Sequence, residues 1–191
     1  MNEAERPFLM CAEDVFCRDR GRGVILTGRI ERGRLRRGAE VEIVGSGATV
    51  PVEDIEVSRR GVDEASAGMN VGLLLAGRAA GAVERGQVLA APGSVNAHIG
   101  FAADITLLSE EHGGAEVRTG DRLQFHIRTA VVRGVVTMAQ ETNALHPLHQ
   151  GAVTVTLERP VALEEGQSFA FRYHGRAAGS GIVTRLLNRV S

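Results

Sequence analysis

Lysine is missing from all 191 residues, so the 22 basic side chains are arginine throughout. That absence removes whole reaction classes. A P-loop needs the lysine of G-x-x-x-x-G-K-[ST] to reach the β- and γ-phosphates, and Schiff-base or pyridoxal chemistry needs an amine nucleophile. No nucleotide and no other cofactor is therefore expected on this chain. Cysteine is scarce: Cys11 and Cys17 stand in strand-like sequence without a C-x-x-C and read as reduced, small, partly buried side chains. No apolar run approaches the roughly 20 residues of a membrane span. The opening "MNEAERPFLM" lacks the basic-then-apolar order of a signal peptide. A cytoplasmic protein with no membrane partner is the expectation.

Catalytic signatures are equally thin. There is no G-x-S-x-G elbow, and neither "GSG", at Gly45 or at Gly179, has its spacing. The six histidines are scattered. The close pair, His146 and His149 in "LHPLHQG", flanks Pro147 without a third ligand nearby and reads as two solvated turn residues rather than a metal site. Adjacent acids such as Glu13 and Asp14, or Glu164 and Glu165, point to opposite faces if they lie on strands, so neither pair forms a catalytic dyad. No catalytic residue and no metal ligand is predicted.

What remains is a β-rich globular chain. Its apolar fraction is 43%, its charged fraction 24% and its mean hydropathy −0.02, values of a soluble folded protein long enough for two ordinary domains. Short apolar runs recur between turns: "FLMCAEDVF", "VILTGRI", "AEVEIVG", "VPVEDIEV", "NVGLLLA", "FAADITLL", "LQFHIRT", "VVRGVVTM", "AVTVTLE", "FAFRY" and "GIVTRLL". Strands of this length with Gly-rich turns imply sandwiches or barrels. Val153, Val155 and Leu157 alternate with Thr154, Thr156 and Glu158, and Phe169, Phe171 and Tyr173 alternate with Ala170, Arg172 and His174, so one face of each run is core. "GVDEASAGMN" forms either a helical turn or a loop. Pro92 and Gly93 in "AAPGSVNAHIG" interrupt the strands near the midpoint, which predicts two β-domains, 1–93 and 94–191.

One stretch carries unusual charge. Residues 18–37 hold eight arginines against Asp19 and Glu31, a local +6 on a chain whose overall charge is −1. Within it Val24, Leu26 and Ile30 share one strand face, and Thr27, Arg29 and Glu31 share the other. The stretch reads either as a solvated hairpin or as a grip for an anionic partner. Glu13 and Asp14 before Phe16, and Glu56 and Arg59 around Val57, likewise read either as surface charges or as the walls of a polar pocket.

These residues resemble the bacterial elongation factor Tu family. "RPFLMCAEDVF", "GRGVILTGRIERG", "GAEVEIVG", "AGMNVGLLLAG" and "ERGQVLAAPGS" are similar to runs of that family's second domain. "LQFHIRTAVVRGVV", "VTLERPVALEEGQSFAFR" and "GRAAGSGIVTRLL" are similar to its third. The resemblance covers essentially the whole chain and implies an all-β fold of two antiparallel β-barrels, with the chain beginning at the linker that follows the family's GTPase domain. It also implies a pocket for the aminoacyl end of tRNA at Glu13, Asp14, Phe16, Ile25, Thr27, Glu56, Arg59, Asn70 and Leu74. Glu56, Ile25 and Leu74 would embrace the terminal adenine, and Arg59, Asn70 and Thr27 would hold the ester and ribose. The sequence departs from the family where "AEVRTGDRLQF" is shorter than the family's segment after "EEHGG" and loses its His-Thr and aromatics, and where "CRDRGRG" is one residue longer and more basic. Arg18, Arg20, Arg22 and Arg122, with the "GRAAGSG" turn, are the candidates for RNA backbone contacts.

The function implied is a non-catalytic translation module whose partner is aminoacyl-tRNA. A protein-interaction or decoy module for the ribosome, for a separate GTPase or for ligands of the intact factor is the alternative, and a fragment or decayed copy is a third reading.

Overall fold

The computed structural model of the chain describes residues 2–17, 23–139 and 143–190, without the side chains of 17 and 188–190. Two compact units divide it, residues 1–95 and 96–191, and each encloses its own apolar core. Among the described residues there are strands and short 3-10 turns but no α-helix, and no helix long and apolar enough to cross a membrane.

Unit 1 contains β1 (Leu9–Cys11), β2 (Asp14–Cys17), β3 (Val24–Arg32), β4 (Arg34–Arg36), β5 (Glu40–Ile43), β6 (Ala48–Val57), β7 (Arg60–Val62), β8 (Glu64–Ser66), β9 (Asn70–Leu75) and β10 (Val88–Ala90). Six of them run antiparallel in the order β1-β10-β5-β6-β9-β3, and pairing of β1 with β3 closes the ring. β2 extends the sheet at β3, β7 extends it at β6, and β4 pairs with β8 as a separate ribbon.

The pleat of β3 shows why these residues make a barrel wall. Val24, Leu26, Ile30 and Arg32 are buried, whereas Ile25, Arg29 and Glu31 are exposed, as a period of two requires. Burying a side chain such as Leu26 or Ile30 contributes about 1.5–3 kcal/mol. Gly28 occupies the inward position between them. A Cβ there would lie 2.2 Å from the Cys11 carbonyl oxygen and 2.8 Å from the Met10 Cε, so β1 can cross β3 only over a residue without a side chain.

"FLMCAEDVF" is interrupted rather than continuous. Between β1 and β2 the Ala12 N–H donates to the Gln87 carbonyl and the Glu13 N–H to the Thr27 carbonyl, both at 2.9 Å. This irregularity leaves both Glu13 and Asp14 exposed, not on opposite faces as a regular strand would place them. In "GVDEASAGMN" the chain forms the end of β7, then β8 and the turn into β9, without a helical turn.

Unit 2 contains β11 (Asn96–Leu107), β12 (Val117–Arg118), β13 (Arg122–Ile127), β14 (Ala130–Met138), β15 (Ala144–Leu145), β16 (Gln150–Leu163), β17 (Ser168–Tyr173) and β18 (Arg176–Val190). The ring β11-β16-β14-β13-β17-β18 is closed, and β12 pairs with β15. Phe101, Phe125, Phe169 and Phe171 fill its interior with ring centroids 5.4–6.4 Å apart. Gly179 and Gly181 make room for them: a Cβ at either would lie 2.5 Å from the Phe171 Cζ or 2.6 Å from the Phe169 Cζ. Small positions on β18 thus complement large rings on β17.

Gly28→Ala should destabilise unit 1 through overpacking, by about 1–3 kcal/mol. For a domain of this size that lowers the midpoint of thermal unfolding by roughly 4–20 °C. Circular dichroism melts of the wild-type and variant chains measure it, and an unchanged melting curve would show that β1 does not cross at this residue.

Candidate functional site

Four neighbouring strands of unit 1 carry nearly all the predicted pocket residues. The register of β2, β3, β9 and β6 aligns Phe16, Ile25, Leu74 and Asp54 as one rung, and Asp14, Thr27, Gly72 and Glu56 as another. Because Val24, Leu26, Ile55, Leu73 and Leu75 are buried, alternation turns both rungs to the outer face. Each rung spans about 14 Å at a strand spacing of roughly 4.8 Å.

Gly72 opens the surface between Thr27 and Glu56. A Cβ at Gly72 would stand 3.8 Å from that of Glu56, and the space it leaves belongs to a pocket of about 110 Å³ lined by Ile25, Asp54, Glu56, Gly72, Leu73 and Leu74. That is well below the roughly 300–1,000 Å³ of a site for a drug-sized ligand. It has room for one small group. Two apolar side chains beside it face solvent, Ile25 at 37% and Phe16 at 55% exposure.

The structure brings Ile25, Glu56 and Leu74 into this one pocket, with Thr27 on the rung of Glu56. Asp14 and Phe16 stand at the β2 end of the two rungs. Asn70 lies further along β9, in register with Arg29. Glu13 stands at the irregularity before β2. Arg18, Arg20 and Arg22 lie outside the described residues. Asp54 shares the pocket although sequence reasoning did not select it; its i, i+2 spacing from Glu56 on one strand was the available signal. Arg85 was also missed. Its Nη1 lies 3.6 Å from Asp14 Oδ1, a pairing of distant segments that no local pattern signals.

Arg59 is held in an uncommon backbone conformation. Val57 and Arg60 pair across the β6–β7 hairpin, and the two residues between them have positive φ, 50° at Ser58 and 64° at Arg59. Such a turn normally takes Asn-Gly, and side chains in the left-handed region cost roughly 1–2 kcal/mol each. The flanking strands impose the turn against that preference and set Arg59 three residues beyond Glu56.

The basic stretch divides once the partners are visible. Arg34 and Arg36 reach Glu64 at 3.4 and 2.6 Å, and Arg37 reaches Asp63 at 2.7 Å. The Arg36 guanidinium, hydrogen-bonded to Glu64, holds that carboxyl below the usual carboxylate range against an opposing effect of desolvation. Buried Arg32 donates from Nε to the Pro7 carbonyl at 3.1 Å. Of the arginines from Arg29 to Arg37, Arg29 is exposed and has no ion pair among the described residues. Arg34, Arg36 and Arg37 are thus solvated ion-paired charges, but the stretch itself is not a hairpin: β3 pairs with β1, β2 and β9, and β4 pairs with β8.

Unit 2 shows a second basic face. Arg172, Gln124 and Arg133 lie in register across β17, β13 and β14, and a shallow hollow of about 420 Å³ is lined by Gln124, Val131, Val132, Arg133, Glu158 and Arg159. Arg122, predicted from sequence, is engaged with Glu158 at 3.3 Å. Arg133, Arg159 and Arg172 were missed, although Arg133 and Arg172 alternate with the buried Val132 and Phe171, which was the signal. The "GRAAGSG" segment, expected as a turn, is strand from Arg176 onward: Arg176 opens β18 in register with Tyr173, and of the segment only Gly175 belongs to the turn. Among the described residues no three His, Cys, Asp or Glu side chains converge as a metal cluster.

Comparison with known families places names on both units. A family model described as elongation factor Tu domain 2 matches residues 23–90, and one described as elongation factor Tu C-terminal domain matches residues 94–187.

Arg59→Gly and Arg59→Ala both remove the guanidinium, but only glycine relieves the left-handed backbone. The glycine variant should be more stable than the alanine variant by about 1 kcal/mol. Urea unfolding of the two variants measures this, and equal midpoints would show that the turn stores no such strain.

Proposed function

Since the chain carries one domain of the elongation factor Tu domain 2 family and one of the elongation factor Tu C-terminal domain family, we propose that the outer face of unit 1 binds the aminoacylated 3′ end of tRNA, without catalysis. The observation that carries this reading is the convergence of Ile25, Leu74 and Glu56 around the gap left by Gly72. Single-stranded RNA ends are recognised by apolar or stacking surfaces on the base face and by hydrogen bonds to its edges. Ile25 and Leu74 supply the first and the Glu56 carboxylate, as acceptor, the second. Thr27, Asn70 and Arg59 hold the ribose and ester. Glu13, Asp14 and Phe16, at the β2 end, offer carboxylates and an aromatic surface to an aminoacyl group bearing an α-ammonium.

Phosphate contacts come from Arg18, Arg20 and Arg22, and from the arginines on the outer face of unit 2. Binding is weak and salt-dependent, and in this reading the protein acts where translation runs, in the cytoplasm of a bacterium. Filter-binding titrations with charged and uncharged tRNA test the reading: tighter binding of charged tRNA supports it, and equal retention of charged, uncharged and unrelated RNA overturns it. With two or three phosphates neutralised, the slope of log K against log salt should be about −1.4 to −2, at roughly −0.7 per phosphate of a single strand. A slope near zero would remove Arg18, Arg20 and Arg22 from the interface.

Glu56→Ala should leave thermal stability nearly unchanged, since surface substitutions fall within about 0.5 kcal/mol. It should weaken binding of an aminoacylated CCA end by roughly five- to a hundred-fold, the range of one lost base contact. Glu110→Ala, in the loop after β11, serves as the control. Equal affinity of the two variants would show that the pocket does not hold the base.

A further inference from the structure

His146 and His149 stand at the rim of a pocket of about 240 Å³ in unit 2 that Met138 and Leu145 also line. Spacing alone makes them solvated turn residues. The structure adds the shape of the turn and the place of the protons. Pro147 and Leu148 form its centre, the His149 N–H donates to the His146 carbonyl at 3.1 Å, and Leu148 has φ 66°. This is a type II arrangement with proline first and a left-handed residue second. It brings the first and fourth residues together, and their ring centroids lie 6.3 Å apart.

The hydrogen-bond partners determine the tautomers. His146 Nδ1 lies 3.0 Å from Glu116 Oε2, and His149 Nδ1 lies 3.0 Å from the Pro147 carbonyl oxygen. A carboxylate and a carbonyl can only accept, so each Nδ1 carries the hydrogen and each neutral ring keeps its lone pair on Nε2. A metal-ligating histidine is anchored in the same way, its other ring nitrogen donating to a carboxylate or backbone carbonyl that fixes the ring and raises its basicity. Glu116 is itself held by Arg118.

The spacing suits one ion. With metal–nitrogen bonds of about 2.0–2.1 Å, an ion lies roughly 3.2 Å from each ring centre, so the centres stand about 6.4 Å apart when opposed and about 5.3 Å apart at a tetrahedral angle. At 6.3 Å the separation lies at the opposed end of that range, and an approach of the rings by about 1 Å reaches the tetrahedral value. We propose that His146 and His149 form a two-imidazole site for a late first-row transition-metal ion, zinc or copper, through their Nε2 atoms. Water completes the coordination of zinc, and the Met138 thioether in the same pocket adds a soft donor that favours copper(I). Glu116 is the positioning residue that orients His146.

Isothermal titration of the full chain with zinc chloride, and separately with copper(I) held in acetonitrile, tests the site. One ion should bind per chain. His146→Ala and His149→Ala should each weaken binding at least tenfold, and Glu116→Gln by roughly ten- to a hundred-fold. His112→Ala should change nothing, and Met138→Leu should weaken copper(I) but not zinc. Imidazole nitrogen chemical shifts should move at Nε2 of both rings on zinc addition, a readout that a merely structural role would leave still. Absence of binding, or equal binding by the His146→Ala/His149→Ala double variant, overturns the proposal.

Discussion

A six-stranded antiparallel sheet becomes a barrel only when its first and last strands pair, and in unit 1 that pairing runs over Gly28. The Cys11 carbonyl comes so near the Gly28 Cα that any side chain there would displace it. Closure in turn gives β3 an inside and an outside. Once Val24, Leu26 and Ile30 turn inward, Ile25, Thr27 and Arg29 must turn outward, and every pocket residue on the neighbouring strands is oriented by the ladder that follows. Unit 2 solves the same problem with different residues: Gly179 and Gly181 thin one strand so that Phe169 and Phe171 can meet Phe101 and Phe125 at the centre.

The outer face of unit 1 is thus a by-product of closure, and it is the face on which we propose the site. A barrel wall needs its inward positions for the core and leaves its outward ones unconstrained by packing. Those of β2, β3, β9 and β6 combine carboxylates with exposed apolar groups and a glycine gap, and a purely solvated wall needs neither of the last two. The β4–β8 ribbon shows the contrast. Its arginines are matched by Asp63 and Glu64, exposed pairs of the kind that contribute little to stability and occupy charges otherwise open to an anion. Local charge density alone would have assigned all of residues 18–37 to one partner.

Much of this was legible in the chain itself. Ten of the eleven apolar runs each fall in one strand and the first splits into β1 and β2, because hydrophobic alternation is a property of residues i and i+2 and needs no tertiary information. The small pieces β4, β7, β8, β10, β12 and β15 were not legible, since two or three residues carry too little periodicity. The likeness of "GRGVILTGRIERG" and its companions to one family pointed to the outer face of unit 1, and the matches over residues 23–90 and 94–187 agree at the level of the domains.

The sequence by itself determined which face of each strand a residue occupies, and with it the two cores, because pleating is local. Tertiary structure alone decided which residues become neighbours across strands. Antiparallel register sets Thr27 beside Gly72 and Gly72 beside Glu56, closes Asp14 onto Arg85, and hands Arg36 to Glu64. The turn at Pro147 likewise sets two imidazoles side by side, while β12 brings Glu116 to one of them. Apart from the two histidines, these pairings join residues far apart along the chain, and their identity follows from how the barrels close, which no window of sequence contains.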